Sequence, residues 1–170
     1  MPSEFEDAYD TDDLERVRGA VLETPVSELM ADDPLVVDAD ATVVTAVNAM
    51  NQHHTGCVLV QKDGKLVGIF TERDVLRKVI FRDGNKAWKV EAVMTRNPAT
   101  LPPTASVAYA LNKMSVDGYR HIPIVDAKGK ATGVLSIKDI VHFVVEFFPA
   151  GVLNLPHDPL QAIPKSADGG

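Results

Sequence analysis

A single cysteine, Cys57, is all the sequence offers for thiol chemistry, so no disulfide can form within the chain. That usage suits a reducing compartment and leads us to expect the cytoplasm. Cys57 lies in the apolar run Cys57-Val58-Leu59-Val60, which marks it as a packed core thiol rather than a reactive one. Long hydrophobic runs are missing as well: none approaches the roughly 20 apolar residues that cross a bilayer. The acidic, polar start also lacks the basic and apolar regions of a signal peptide. These absences predict a soluble protein without a membrane partner.

Positive charge is scarce. The chain carries 24 acids against 17 bases, a formal charge of −7. Seven of the acids (Glu4, Glu6, Asp7, Asp10, Asp12, Asp13 and Glu15) fall within the first 15 residues, where there is no base, so the remainder is balanced. No basic stripe is left to neutralise a phosphate backbone, which argues against nucleic acid as a partner. Five histidines are present, but His53 and His54 are adjacent and no Cys or His cluster stands at ligand spacing, so no metal site is expected. There is no Ser-His-Asp set and no glycine-rich phosphate cradle, so no catalytic residue is assigned and no enzyme is predicted.

What is present is a repeat. Shifting the chain by 64 residues superimposes Val26, Met30, Pro34, Val43, Ala46, Asn48 and Met50 on Val90, Met94, Pro98, Val107, Ala110, Asn112 and Met114. One extra residue in the second copy then aligns Val60, Gly64, Lys65, Gly68 and Asp74 with Val125, Gly129, Lys130, Gly133 and Asp139. So many ordered identities with one gap establish a duplication. The copies cover residues 26–81 and 90–148, joined by a linker at 82–89 that contains Trp88. An acidic arm with a short amphipathic helix (Leu14, Val17 and Val21 inward) precedes them at 1–25, and a proline-rich tail follows at 149–170.

Each copy predicts the order β-α-β-β-α, a mixed α/β architecture. A short extended segment (Leu35-Val36-Val37; Ala99-Thr100-Leu101) leads to a helix capped by Thr42 or Thr104. Two strands follow, turning at Lys62-Asp63-Gly64-Lys65 and Ala127-Lys128-Gly129-Lys130, with glycine at the left-handed position. The last helices are unusually apolar: Val75, Leu76, Val79 and Ile80 in one; Ile140, Val141, Phe143, Val144, Val145, Phe147 and Phe148 in the other. A helix apolar all round is buried on more than one side. The second side is either another subunit, giving a homodimer, or the C-terminal tail folded back.

Both copies pass from strand to last helix through Gly-apolar-x-Thr/Ser-x-x-Asp: Gly68-Ile69-Phe70-Thr71-Glu72-Arg73-Asp74 and Gly133-Val134-Leu135-Ser136-Ile137-Lys138-Asp139. Thr71 or Ser136 sits at a helix N-cap, where backbone N–H groups and the dipole favour a phosphate. Asp74 or Asp139, one turn on, can accept two hydrogen bonds from a ribose diol. Arg73 and Lys138 add a cation, and the glycines leave space for a flat base or for another backbone. The bland alternative is a capping box that binds nothing.

With these residues in view, the chain resembles a tandem pair of CBS (cystathionine β-synthase type) domains, a Bateman module, over residues 26–148. The resemblance rests on Val26-Ser27-Glu28-Leu29-Met30, Val90-Glu91-Ala92-Val93-Met94-Thr95-Arg96-Asn97-Pro98, His121-Ile122-Pro123-Ile124-Val125-Asp126 and both helix-start motifs. It implies two repeats packed sheet to sheet about a pseudo-twofold axis, with two clefts that commonly bind adenosine compounds (AMP, ADP, ATP or S-adenosylmethionine). It also implies a homodimer through the final helices and a stand-alone regulatory role. Carried over, pocket A holds Thr71, Arg73 and Asp74 with Met94, Ala99, Arg120 and His121 opposite. Pocket B holds Ser136, Lys138 and Asp139 with Met30, Leu35, Thr55 and Gly56 opposite. Arg73, Arg120 and a protonated His121 would give pocket A the more phosphorylated and tighter ligand. Gly56, where the second copy has His121, would open pocket B. The rival expectation is a ligand-independent interaction module with vestigial pockets.

Overall fold

In the computed structural model, residues 11–82 and 87–147 are described. The acidic stretch before Thr11, Phe148 and the tail lie outside them. Helix α1 (Thr11–Glu23) precedes a 3-10 turn (Val26–Glu28) and the short strand β1 (Ala31–Asp32). The first repeat continues with β2 (Val36–Asp38), α2 (Val43–Gln52), β3 (Cys57–Lys62), β4 (Lys65–Thr71) and α3 (Glu72–Asp74), which runs on as a π-helical turn (Val75–Val79). The second has a 3-10 turn (Val90–Ala92), β5 (Thr95–Arg96), α4 (Val107–Asp117), β6 (His121–Val125), β7 (Ala131–Ser136) and α5 (Ile137–Val145).

Local chemistry explains these boundaries. Thr42 caps α2, its hydroxyl accepting from Thr45 N at 3.1 Å. Ser106, not Thr104, caps α4 by accepting from Tyr109 N at 3.4 Å. The 64-residue offset carries Thr42 onto Ser106, so the repeat itself pointed there. Helix α4 stops at Gly118, in the left-handed region at φ 72°; after α2 the corresponding position is His54, at φ 50°. The first hairpin turn puts both Asp63 (φ 52°) and Gly64 (φ 74°) in that region, the geometry that Asp-Gly favours. The second is tied by Asp126, whose Oδ1 accepts from Lys130 N at 2.9 Å and Lys128 N at 2.8 Å, and these bonds hold its carboxyl below the usual range.

Two sheets result, ordered β2-β3-β4-β5 and β1-β7-β6. Strand β2 runs parallel to β3, and the other named pairs are antiparallel. In the second copy the counterpart of β2 shrinks to a parallel bridge between Leu101 and Ile124. Both hairpins shift register beside the equivalent glycines, after Val60–Gly68 and after Ile124–Gly133, so in the structure Val60 matches Ile124 rather than Val125 and the extra residue of the second copy lies in the hairpin turn.

The short strands carry information that the sequence pattern did not. Strand β1 lies in the lead-in of the first repeat but pairs with β7 of the second (Ala31 with Val134, Asp32 with Gly133). Strand β5 pairs with β4 of the first repeat (Gly68 with Arg96, Ile69 with Thr95). Each lead-in segment is therefore exchanged. Matching hydrogen bonds repeat the exchange: Val26 N to Ala105 O (2.7 Å) mirrors Val90 N to Ala41 O (2.8 Å), and Val107 N to Thr24 O (3.0 Å) mirrors Val43 N to Trp88 O (2.8 Å). These are pseudo-twofold mates.

Burial follows the same symmetry. One core collects Val43, Ala46, Met50, Val58, Val60, Phe70 and Val79 together with Val90, Val93 and Met94 of the other copy's lead-in, with Trp88 packed on its edge. The second collects Val107, Ala110, Met114, Ile122, Ile124, Leu135 and Ile140 together with Val26, Leu29, Met30 and Val21 of α1. Between the sheets, Cys57, Leu59 and Ile69 meet Ala131 and Val134, so the repeats pack sheet to sheet. Fully burying a side chain such as Phe70 or Ile122 contributes about 1.5–3 kcal/mol. Removing the Phe70 ring, at the heart of the first core, would cost about 3–5 kcal/mol.

Candidate functional site

The two helix-start motifs adopt one geometry. Strand β4 delivers Thr71, and β7 delivers Ser136, in extended backbone at the N-caps of α3 and α5. The Thr71 hydroxyl accepts from Asp74 N at 3.3 Å, and Asp74 Oδ2 accepts from Thr71 N at 3.0 Å and Oγ1 at 2.9 Å. In the second copy Asp139 N donates to Ser136 Oγ at 3.3 Å. Asp139 Oδ2 accepts from Ser136 N at 2.7 Å and Oγ at 2.8 Å. Both are closed capping boxes, so each Asp fixes the orientation of its helix as well as presenting a carboxylate.

The carboxylates differ beyond that. Asp74 Oδ1 pairs with Lys78 Nζ at 2.7 Å and accepts from Thr95 Oγ1 at 3.4 Å. Lys78 also donates to Val93 O at 2.9 Å and Met94 O at 3.4 Å, which binds α3 to the exchanged lead-in. Asp139 has no comparable ion pair among the described residues. Sequence reasoning passed over Lys78 and Thr95. Lys78 had a visible signal, an acid and a lysine four residues apart on one helix face.

The remaining predicted residues sort as follows. Arg73 reaches across to the second repeat, donating from Nη1 to Gly118 O at 3.3 Å. Arg120 and Lys138 are exposed, and Ala99 is half-buried. Met94 lies in the first core, Leu35 packs against its edge, and Met30 packs against the second core. Leu35 faces the helices because side chains alternate along a strand; its neighbours Pro34 and Val36 face the other way. Those two line a cavity of about 490 Å³ between the sheets, bounded by Leu59, Leu66 and residues 130–132, and none of the fourteen predicted residues lines it.

The two glycines expected to leave space are both covered. A Cβ added at Gly68 would lie 2.9 Å from Met94 Cγ and 3.0 Å from Cε, so the methionine fills that position. A Cβ at Gly56 would meet His121 Cε1 at 3.3 Å and Glu72 Oε2 at 3.4 Å. Gly56 thus admits His121 from the other repeat, and the two residue sets touch there. In the structure the repeat mate of Gly56 is Arg120, since Glu72 N donates to Gly56 O as Ile137 N donates to Arg120 O, and His121 stands where the first copy has Cys57.

Burial sets the electrostatics at this junction. Desolvation lowers the His121 pKa below its ordinary value, outweighing the nearby carboxylates Glu72 and Asp139. His121 is therefore neutral at neutral pH and adds no positive charge to pocket A. Cys57, buried, is pushed up to about 12, chiefly by desolvation, and remains a protonated core thiol. Among the described residues no three His, Cys, Asp or Glu side chains group as a metal would require. None of the helices there is long and apolar enough to cross a membrane.

Comparison with known proteins places this architecture. The chain is 41% identical over 112 residues to the Arabidopsis thaliana CBS domain-containing protein CBSX3, mitochondrial, a match spanning 62% of this chain and 54% of the plant protein. It superimposes on the crystal structure of a CBS domain, NE2398, with a TM-score of 0.68 and 32% identity, over 72% of this chain and 98% of that one. The CBS domain pair of protein MJ0100, solved with 5′-methylthioadenosine and S-adenosyl-L-methionine, matches with a TM-score of 0.65 and 25% identity, over 71% and 98%. The CBS domain family model matches residues 26–80 and again 90–146. The chain therefore belongs to the CBS domain family and carries the domain in tandem.

Proposed function

We propose that this chain is a regulatory ligand-binding module. An adenosine compound (AMP, ADP, ATP or S-adenosylmethionine) occupies the clefts between its CBS repeats, and occupancy is passed on through a dimer or partner surface. The observation that carries the proposal is the Thr/Ser-x-x-Asp helix start, built twice with one geometry across a pseudo-twofold axis. The adenosine ligands of the MJ0100 domain pair support the ligand class. In this proposal Asp74 and Asp139 face ribose diols, while Thr71 with Arg73, and Ser136 with Lys138, face phosphate. Opposite them stand Met94, Ala99, Arg120 and His121 in pocket A, and Met30, Leu35, Thr55 and Gly56 in pocket B. The proposal includes no catalytic step, no nucleic acid and no membrane; the lone buried thiol supports a cytoplasmic setting.

The dimer has its own support. Leu76, Ile80 and Phe81 are 60%, 48% and 93% exposed, and Val141, the repeat mate of Leu76, is 51% exposed. The apolar stripe of each last helix is thus split, one side in its own core and the other outward, as a homodimer through these helices requires. The same faces favour a second reading, a ligand-independent interaction module with vestigial pockets.

Thermal melting separates the two. A ligand at about 100 times its Kd stabilises by about 2.7 kcal/mol. For a chain of this size that raises Tm by roughly 5–10 °C. A shift of that order with one adenosine compound supports the regulatory module. No shift with AMP, ATP or S-adenosylmethionine at millimolar concentration supports the interaction module.

A further inference from the structure

The repeats diverge most sharply at one place, the far side of the helix-start carboxylate. An ionised carboxylate offers about four lone-pair directions. At Asp74 all are taken: Thr71 N and Oγ1 on Oδ2, Lys78 Nζ and Thr95 Oγ1 on Oδ1. Its side chain is 9% exposed. Lys78, with three donors, places the other two on the carbonyls of Val93 and Met94. A ribose diol reaching Asp74 would have to displace Lys78, whose side chain is 37% exposed, and strip a buried carboxylate of its cation, which is unfavourable.

The second copy cannot build this arrangement. The repeat offset puts Phe143 where the first copy has Lys78, and Ala31 where the second has Thr95. Phe143 packs on the second core and makes an edge contact with Phe147, their ring centroids 5.4 Å apart. Asp139 uses Oδ2 for Ser136, and its Oδ1 has no partner among the described residues. Two acceptor directions are therefore open on a half-buried carboxylate.

We propose that Lys78 is a specificity-determining lock: it withholds Asp74 from a ribose, so an adenosine compound enters at Ser136 and Asp139 first. The inference rests on the adenosine proposal above and adds which half of the molecule receives the ligand. It reverses the order expected from counting cations. Arg73 is turned to the Gly118 carbonyl, Arg120 is exposed and His121 is neutral, so none of them releases Asp74.

Backbone amide NMR of the full chain with AMP, then S-adenosylmethionine, as probes tests it, with calorimetry for stoichiometry. In the wild type the ligand is expected to shift the amides of residues 136–139 while those of 71–74 stay in place, with one site per chain. Asp139→Asn is expected to weaken binding by about tenfold or more, since a charge-assisted hydrogen bond is lost. Lys78→Met, which removes the cation at similar length, is expected to add shifts at 71–74 and raise the stoichiometry to two. Wild-type shifts at 71–74 as large as those at 136–139 would overturn the lock. So would a folded Lys78→Met variant whose residues 71–74 remain silent. Should Lys78→Met not fold, the wild-type map and Asp139→Asn decide between the same outcomes. Silence at both helix starts with both probes has a different signature: it overturns the adenosine proposal, and the lock with it.

Discussion

Replacing Gly68 by alanine tests the exchange of lead-in segments on which both clefts depend. The added methyl would lie 2.9 Å from Met94 Cγ and 3.0 Å from Cε, distances at which one of the two must move. Met94 is 6% exposed and belongs to the first core, so its Cγ has nowhere to retreat without displacing neighbours. Overpacking of this kind costs about 1–3 kcal/mol. Relief of glycine's backbone entropy in a strand interior offsets roughly 0.5–1 kcal/mol of that. Met94→Ala alone empties the site and costs about 2–5 kcal/mol. Combined, the alanine methyl at 68 occupies part of the vacated volume, so the double variant is expected to lose less than the two single losses together. The coupling should be about 1 kcal/mol or more, within the range seen for side chains in contact. Urea unfolding of the four proteins at constant m-value reads it directly. Additivity to within about 0.5 kcal/mol would mean that Met94 does not seat on Gly68, and would refute the docking of β5 on β4.

Three further outcomes follow from local chemistry. Ser106→Ala should destabilise by about 0.5–2 kcal/mol through loss of the α4 cap, whereas Thr104→Ala, at an exposed turn, should stay within about 0.5 kcal/mol; the opposite ranking in urea would contradict the cap assignment. His54 sits at φ 50° where its repeat mate is Gly118, so His54→Gly should relieve about 1 kcal/mol of left-handed strain and raise Tm by roughly 2–4 °C; a lower Tm would refute that account. Burial lowers the folded-state pKa of His121, so the unfolded chain takes up its proton first as pH falls below the ordinary histidine value near 6.5. Stability present above that pH is lost on acidification through the folded pKa, and His121→Gln should flatten this part of the Tm profile between pH 7.5 and 5.5; an unchanged slope would remove His121 as its source.

The duplication, the hairpins and the helix-start motifs were legible because each is local or periodic. Asp-Gly at 63 and 64 specifies its turn without help, and Thr71 and Ser136 sit one turn before an acid in both copies. The exchanged strands were not legible. β1 and β5 are two residues long, too short for any alternation; β1 pairs with a strand about 100 residues away and β5 with one about 27 residues away. The cap at Ser106 was missed because Thr104, another hydroxyl residue, stands two positions before it; the neighbouring Val26–Ala105 hydrogen bond that fixes the helix start there is tertiary. Gly56 and Gly68 illustrate the same limit from the other side. A glycine announces a close approach, but the sequence does not say whether the visitor is a ligand or, as here, a side chain from the other repeat.

Isothermal titration of the full chain with AMP, ATP and S-adenosylmethionine reads adenosine binding itself. Saturable heat is expected with at least one of them, centred on one site per chain and weakened by Asp139→Asn. The absence of measurable heat from all three at millimolar concentration, with the protein folded by its melting curve, would contradict it.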